Sequence, residues 1–147
     1  MARIKIDLPA HFSFSTRIPV RIQDINYGNH VGNDAIVSIL HEARIQYLLH
    51  TGYKELDHET GTGTIMTDIA VAYKGEGFQG DIFTVEIAAS SFHPFGFELF
   101  YRITTDRHAQ TIVIAEAKTG MLYFDYNTHK MKKLPLEMKT ALDTIPA

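Results

Sequence analysis

Alternation of apolar and polar residues with period 2 runs for about sixty residues from Thr64, and only one long segment before it, Asn33 to about His50, carries helical periodicity. A chain with this layout has one long helix to bury and several strands to bury it with. A first strand is expected over residues 13–23, where Phe14, Thr16, Ile18, Val20 and Ile22 alternate with polar residues. Pro19 cannot donate to a ladder, so it marks an edge, a bulge or an unpaired side. Further strands are expected at Ile65–Tyr73, around Phe83–Ala89, around Phe97–Ile103, and around Val113–Tyr123. Gly75, Gly77 and Gly80 lie in a connector, and His93-Pro94-Phe95-Gly96 is a turn signal. Pro135 suits the start of a short helix from Leu136 to about Thr144. The order implies an α+β domain, an antiparallel β-sheet wrapped around a long central α-helix.

The helix itself supports this. Asn33 reads as its N-cap and Asp34 as a first-turn acid. Ile36, Leu40, Ala43 and Tyr47 form one apolar face, while Ile45, Leu48 and Leu49 place large apolar groups on the other side, which implies a helix surrounded by protein. Asp34, Ser38 and Glu42 recur every four residues as a polar stripe leading away from the helix start. On the sheet, Glu86, Glu98, Arg102, Glu116 and Lys118 fall on one face, where opposite charges pair across strands.

Composition narrows the function classes. The 147 residues are 45% hydrophobic, enough for one core, so residues 1–147 read as a single domain. With no cysteine, neither disulfides nor thiolate metal sites are available, and a reducing, cytoplasmic setting is expected. The opening MARIKIDLPAHF lacks a signal-peptide core, and no apolar run is of membrane-spanning length. A net charge of -3 with scattered Lys and Arg argues against nucleic-acid binding. His41, His50 and His58 form no metal-ligand spacing with carboxylates. The glycines at 61, 63, 75 and 77 read as turns, and Lys130, Lys132 and Lys133 as a solvated charge run.

Between the first strand and the helix lies Asp24-Ile25-Asn26-Tyr27-Gly28-Asn29-His30-Val31-Gly32-Asn33, a polar loop feeding a helix N-terminus. This loop, Glu42-Ala43-Arg44 in the helix, Gly80-Asp81 before a strand, Thr119-Gly120 in the last long strand, Phe124-Asp125, and Pro135-Leu136-Glu137 occur in order along the chain. Together they resemble the hotdog-fold thioesterases, in the branch of 4-hydroxybenzoyl-CoA thioesterase and the YbgC-type acyl-CoA thioesterases. The resemblance implies a hotdog homodimer or homotetramer with active sites between protomers. It also implies an acyl-CoA or acyl-carrier substrate and no metal or cofactor beyond the coenzyme A of the substrate. Many members carry a catalytic Asp where this chain has Asn26, and an amide cannot act as general base or carboxylate nucleophile.

Thioester hydrolysis needs an oxyanion donor and a group that activates water. Backbone N–H groups around Val31, Gly32, Asn33 and Asp34 suit the first need, and Gly28 and Gly32 allow close approach of the backbone or simply a tight turn. For the second, His30 is a candidate base or orienter, and Asn26 can orient water or the carbonyl unless it only makes an Asx turn. Asp24 either replaces the missing carboxylate or holds loop amides. Asp34 is a helix-start acid or a reserve catalyst. Glu42 either reaches a site from the helix or pairs with Arg44 or a neighbouring strand. Two functions follow: an acyl-CoA thioesterase, or a non-hydrolytic acyl-thioester-binding protein that kept the pocket and lost the base.

Overall fold

The computed structural model of the protein describes residues 3–143. Strands β1 (Phe14–Pro19), β2 (Leu56–Asp57), β3 (Thr62–Tyr73), β4 (Ile82–His93), β5 (Gly96–Arg107), β6 (Gln110–Asp125) and β7 (Lys130–Met131) form one antiparallel sheet. The strand order is β1-β4-β5-β6-β3-β2, with β7 on the end of β6. Helix α1 (Asn33–His50) lies on the inner face of the sheet, and α2 (Leu136–Leu142) closes one end. The expected extent of α2 to Thr144 falls outside the described residues.

The core forms where the two periodicities meet. Ile36, Ile39, Leu40, Ala43, Tyr47 and Leu48 of α1 pack against Phe83, Val85 and Ile87 of β4, Leu99, Tyr101 and Ile103 of β5, and Ala115 and Ala117 of β6. Each large apolar side chain buried here contributes roughly 1.5–3 kcal/mol. The opposite face carries the expected charges, with Arg102 on Glu86 at 2.8 Å and Lys118 on Glu98 at 3.4 Å. Pro19 does end an edge strand.

Four expectations are corrected. The first strand stops at Pro19, and Ile22–Asp24 turns as a single 3-10 helix, held by the Asp24 carboxylate accepting the Arg21 N–H at 2.8 Å; Ile22 is accordingly 66% exposed. The N-cap of α1 is Gly32, not Asn33. The helix is not surrounded: Leu49 is 57% exposed and Ile45 half-buried, because the sheet covers one side only. Gly63 lies inside β3, not in a turn, since a Cβ there would collide with the Glu55 carbonyl of the β2 strap.

A connector between β3 and β4 braces the start of α1. Gly77 O accepts the Val31 N–H at 2.8 Å, and the Asp81 carbonyl accepts the Val20 N–H at 2.9 Å. Gly77 is wedged between Phe83 and Val31, where a Cβ would strike the Phe83 ring. Arg107 from the end of β5 clamps the connector, pairing with the Asp81 carboxylate and donating to Glu76 O at 3.0 Å. Burial alone would raise the Asp81 pKa, but the Arg107 and Phe78 N–H hydrogen bonds hold it below its ordinary value of 3.8.

Three outcomes follow for the fold. Gly77→Ala forces a methyl into the packed Phe83 ring and should cost about 1–3 kcal/mol by chemical denaturation. The β5–β6 hairpin places both His108 and Ala109 at positive φ (53° and 60°), so Ala109→Gly relieves backbone strain and should raise stability by roughly 0.5–1 kcal/mol. The stability contributed by Asp81 is fully present above pH 3.8 and lost as pH falls through its lower native value; acid titration of Arg107→Gln should lack that component.

Candidate active site at the start of the long helix

The loop is built by short-range hydrogen bonds. Asn26 N–H donates to His30 O at 2.9 Å, Asn29 N–H to Asn26 O at 3.0 Å, and Gly32 N–H to Asp24 O at 3.0 Å. Asn29 sits at φ 64°, a left-handed position that asparagine tolerates better than most residues. Asp24 is 5% exposed, and its carboxylate is bonded to the Arg21 N–H and guanidinium. It therefore holds loop amides and does not face a ligand.

Asn26 makes an Asx turn, its Oδ1 accepting the Gly28 N–H at 2.8 Å. With the oxygen engaged in this way, the Nδ2 donors are what Asn26 offers to a ligand. His30 Nδ1 lies 3.2 Å from the Val31 carbonyl, which can only accept. That contact assigns the proton of the neutral ring to Nδ1 and leaves the Nε2 lone pair free as a base. A Cβ on Gly28 would sit 3.1 Å from His30 Nε2 and 3.2 Å from Asn26 Oδ1, so glycine leaves room exactly between the two side chains' approach. At Gly32, a Cβ would lie 2.6 Å from Asp34 Oδ1 and 3.7 Å from Asn26 Nδ2. Asn26, His30 and Asp34 thus gather around two glycines at the N-terminus of α1.

The oxyanion donors differ from expectation. Val31 N–H is taken by Gly77 O and Gly32 N–H by Asp24 O, so neither is free. The first-turn amides of Asn33 and Asp34 have no intrahelical partner, and no side chain caps the helix at Gly32. The positive end of the helix dipole lies there as well.

Glu42 stands apart from this constellation. It lines a groove on the β1 side of α1 and accepts from Gln46 Nε2 at 2.9 Å. Of the alternatives for Glu42, the pairing with Arg44 does not form. Arg44 is buried and bonds Glu55 at 2.9 Å, and Glu55 also binds His41 at 2.8 Å. Arg44 further reaches Tyr101, whose hydroxyl shares a hydrogen bond with Thr119 at 2.8 Å.

One residue of the site was missed from sequence. Tyr73 at the end of β3 donates its hydroxyl to Asn33 O at 3.0 Å. Burial and then the Asp34 charge raise its pKa, so it remains a donor at neutral pH. Its only sequence signal was its place on the inward face of an alternating strand. Ile69 and Met66 precede it on that face, and all three are exposed, with Tyr73 alone in contact with the helix start. Among the described residues, no cluster of three or more His, Asp or Glu could hold a metal ion, and no helix is long and apolar enough to cross a membrane.

Comparison with curated proteins gives no match. Among solved structures, the chain is similar to a 1,4-dihydroxy-2-naphthoyl-CoA thioesterase from Synechocystis, at 18% identity over 88% of this chain and 94% of that chain, with TM-score 0.78. It is also similar to the probable thioesterase YbaW from Escherichia coli, at 22% identity over 90% and 97% of the two chains, with TM-score 0.71. A third is a mutant of 4-hydroxybenzoyl-CoA thioesterase complexed with 4-hydroxybenzoyl-CoA, at 13% identity over 88% and 97%, with TM-score 0.77. These likenesses establish a shared hotdog fold. The sequence family described as the thioesterase-like superfamily matches residues 20–142, most of the chain, and the protein therefore belongs to that superfamily.

Proposed function

We propose that the protein hydrolyses an acyl-CoA thioester to free acid and thiol at the start of α1. The observation that carries this reading is the meeting of donors (Asn26 Nδ2 and the first-turn amides) with acceptors (His30 Nε2 and Asp34) around Gly28 and Gly32. The thioester carbonyl sits over Gly32 and accepts from these donors, which hold the oxyanion as it develops. His30 Nε2 takes a proton from water as the water oxygen attacks the carbonyl carbon. Collapse of the tetrahedral intermediate breaks the C–S bond, and the departing thiolate takes the proton back from His30. Asp34 orients the attacking water, and Tyr73, Ile69 and Met66 form one wall for the acyl group.

Only one side of that wall is supplied by a single chain. β3 is paired with β6 along its length but with β2 only at Thr62 and Gly63, so its outer edge from Met66 to Tyr73 is open among the described residues. Self-association through this edge, as a homodimer or within a homotetramer, would close the pocket and satisfy the edge.

A second reading is favoured by Asn26, which cannot serve as a base: a protein that binds acyl thioesters without hydrolysing them. Two variants separate the readings on a panel of short, long and aromatic acyl-CoAs. Under the hydrolytic reading, His30→Ala lowers kcat about 10²–10⁴-fold, and Asn26→Asp, which removes an oxyanion donor, lowers it about 10²-fold. A wild type no faster than His30→Ala, together with turnover gained in Asn26→Asp, would establish the binding protein instead.

A further inference from the structure

We propose that the groove between β1 and the outer side of α1 is a subsite for the adenosine 3′,5′-bisphosphate end of coenzyme A. The inference rests on the thioester reading above and extends it to a part of the molecule that reading does not use. The groove has a volume of about 440 Å³, within the range of nucleotide-sized pockets. Its floor is apolar, made by Ile18, Ile39 and Ile45, and suits a flat heterocycle.

The two walls differ in charge. On the β1 side stand Arg17 and Arg21, both exposed. Among the described residues Arg17 has no acidic or aromatic partner, unlike Arg44, Arg102 and Arg107, which are paired with Glu55, Glu86 and Asp81. The Arg21 guanidinium reaches Asp24 only at 3.3 and 3.4 Å, which leaves donors pointing to solvent. Two guanidiniums, Arg17 on the edge strand β1 and Arg21 in the turn that follows it, are suited to phosphate oxygens, which they can bind in bidentate fashion. On the helix side stand Ser38 and Glu42. Gln46 occupies Glu42 Oε1, so Oε2 remains as an acceptor.

That carboxylate identifies the ligand class. A simple anion or a lipid surface would be repelled by Glu42, whereas a ligand with phosphates at one end and an exocyclic amine at the other uses both walls. Adenine supplies such an amine and stacks on an apolar floor. The position is also right for a tethered substrate. At 1.5 Å per residue, Ser38 is about 6 Å and Gln46 about 18 Å along α1 from Asp34, so the groove leads away from the reaction centre in the direction an extended pantetheine arm would take.

The test measures binding of adenosine 3′,5′-bisphosphate by calorimetry, with no requirement for turnover. The wild type should bind the probe, Arg17→Gln should weaken it about tenfold, and Arg17→Lys should recover part of the loss. Glu42→Gln should weaken the adenosine probe while strengthening competition by inorganic pyrophosphate, from which it removes a like charge. Absence of probe binding, or equal affinity in wild type and Arg17→Gln, overturns the subsite. A wild type that hydrolyses acyl-CoA with a KM unmoved by Arg17→Gln also overturns it while the hydrolytic reading stands. A wild type that binds the probe through Arg17 but shows no hydrolysis supports the subsite and removes the hydrolytic reading. Loss of affinity for an acidic acyl-carrier protein, without any binding of the bisphosphate, would reassign the groove to that carrier and overturn the nucleotide assignment.

Discussion

The hydrogen bond from Val31 N–H to Gly77 O, 2.8 Å long, is the constraint on which the site depends. It joins the last residues of a polar loop to a connector otherwise remote in sequence, and so fixes where α1 begins. Everything reactive is referred to that point. His30 precedes it by one residue and bonds the Val31 carbonyl, while Asp34 follows within the first helical turn. Because Val31 and Gly32 are buried and hydrogen-bonded, the amides left without an intrahelical partner are those of the first turn, Asn33, Asp34 and Ala35. A loop that used all its donors internally would have no polarity to offer a ligand; here the amides of Val31 and Gly32 are engaged and those of the first helical turn are not.

The brace has its own support. Arg107 and Asp81 hold the connector in place from the far end of a hairpin, and the absence of a side chain at Gly77 allows the Phe83 ring and Val31 to close on it. Core packing and site geometry are thus one problem. The buried Arg44 network works similarly under the middle of α1, tying the helix through Glu55 to the strap before β3. Charges buried in pairs are weak stabilisers but costly to separate, which favours a single placement of the helix on its sheet.

Much of the fold was legible because burial obeys simple periods. Phe83, Val85, Ile87, Leu99, Tyr101 and Ile103 alternate in sequence and all face the helix. Ile36, Leu40, Ala43 and Tyr47 recur at helical spacing and all face back. The misreadings arose where a short-range bond overrode the period. Ile22 continues the alternation of β1, yet the Asp24 carboxylate captures the Arg21 amide and turns the chain before that residue can enter the sheet. The gathering of His30, Asn26 and Asp34 at the candidate site was legible because they lie in one local segment. Tyr73 was not, since its contact with the helix start comes from the register of β3 on β6, and the surroundings of Glu42 were not, because helical spacing alone does not say which neighbour a stripe will face.

The open edge of β3 has a consequence for the newly made chain. Met66, Ile69 and Tyr73 stand exposed beside a row of backbone groups that no strand among the described residues pairs with. A newly folded single copy is then a template for whichever strand arrives first, and high β-propensity segments from incompletely folded chains compete for it. Lys118 reaching Asp68 and the irregularity between Met66 and Asp68 interrupt the regularity of that edge. Yield in a crowded cell would therefore depend on how soon that edge is covered, which makes the concentration of unfinished chains a variable of folding.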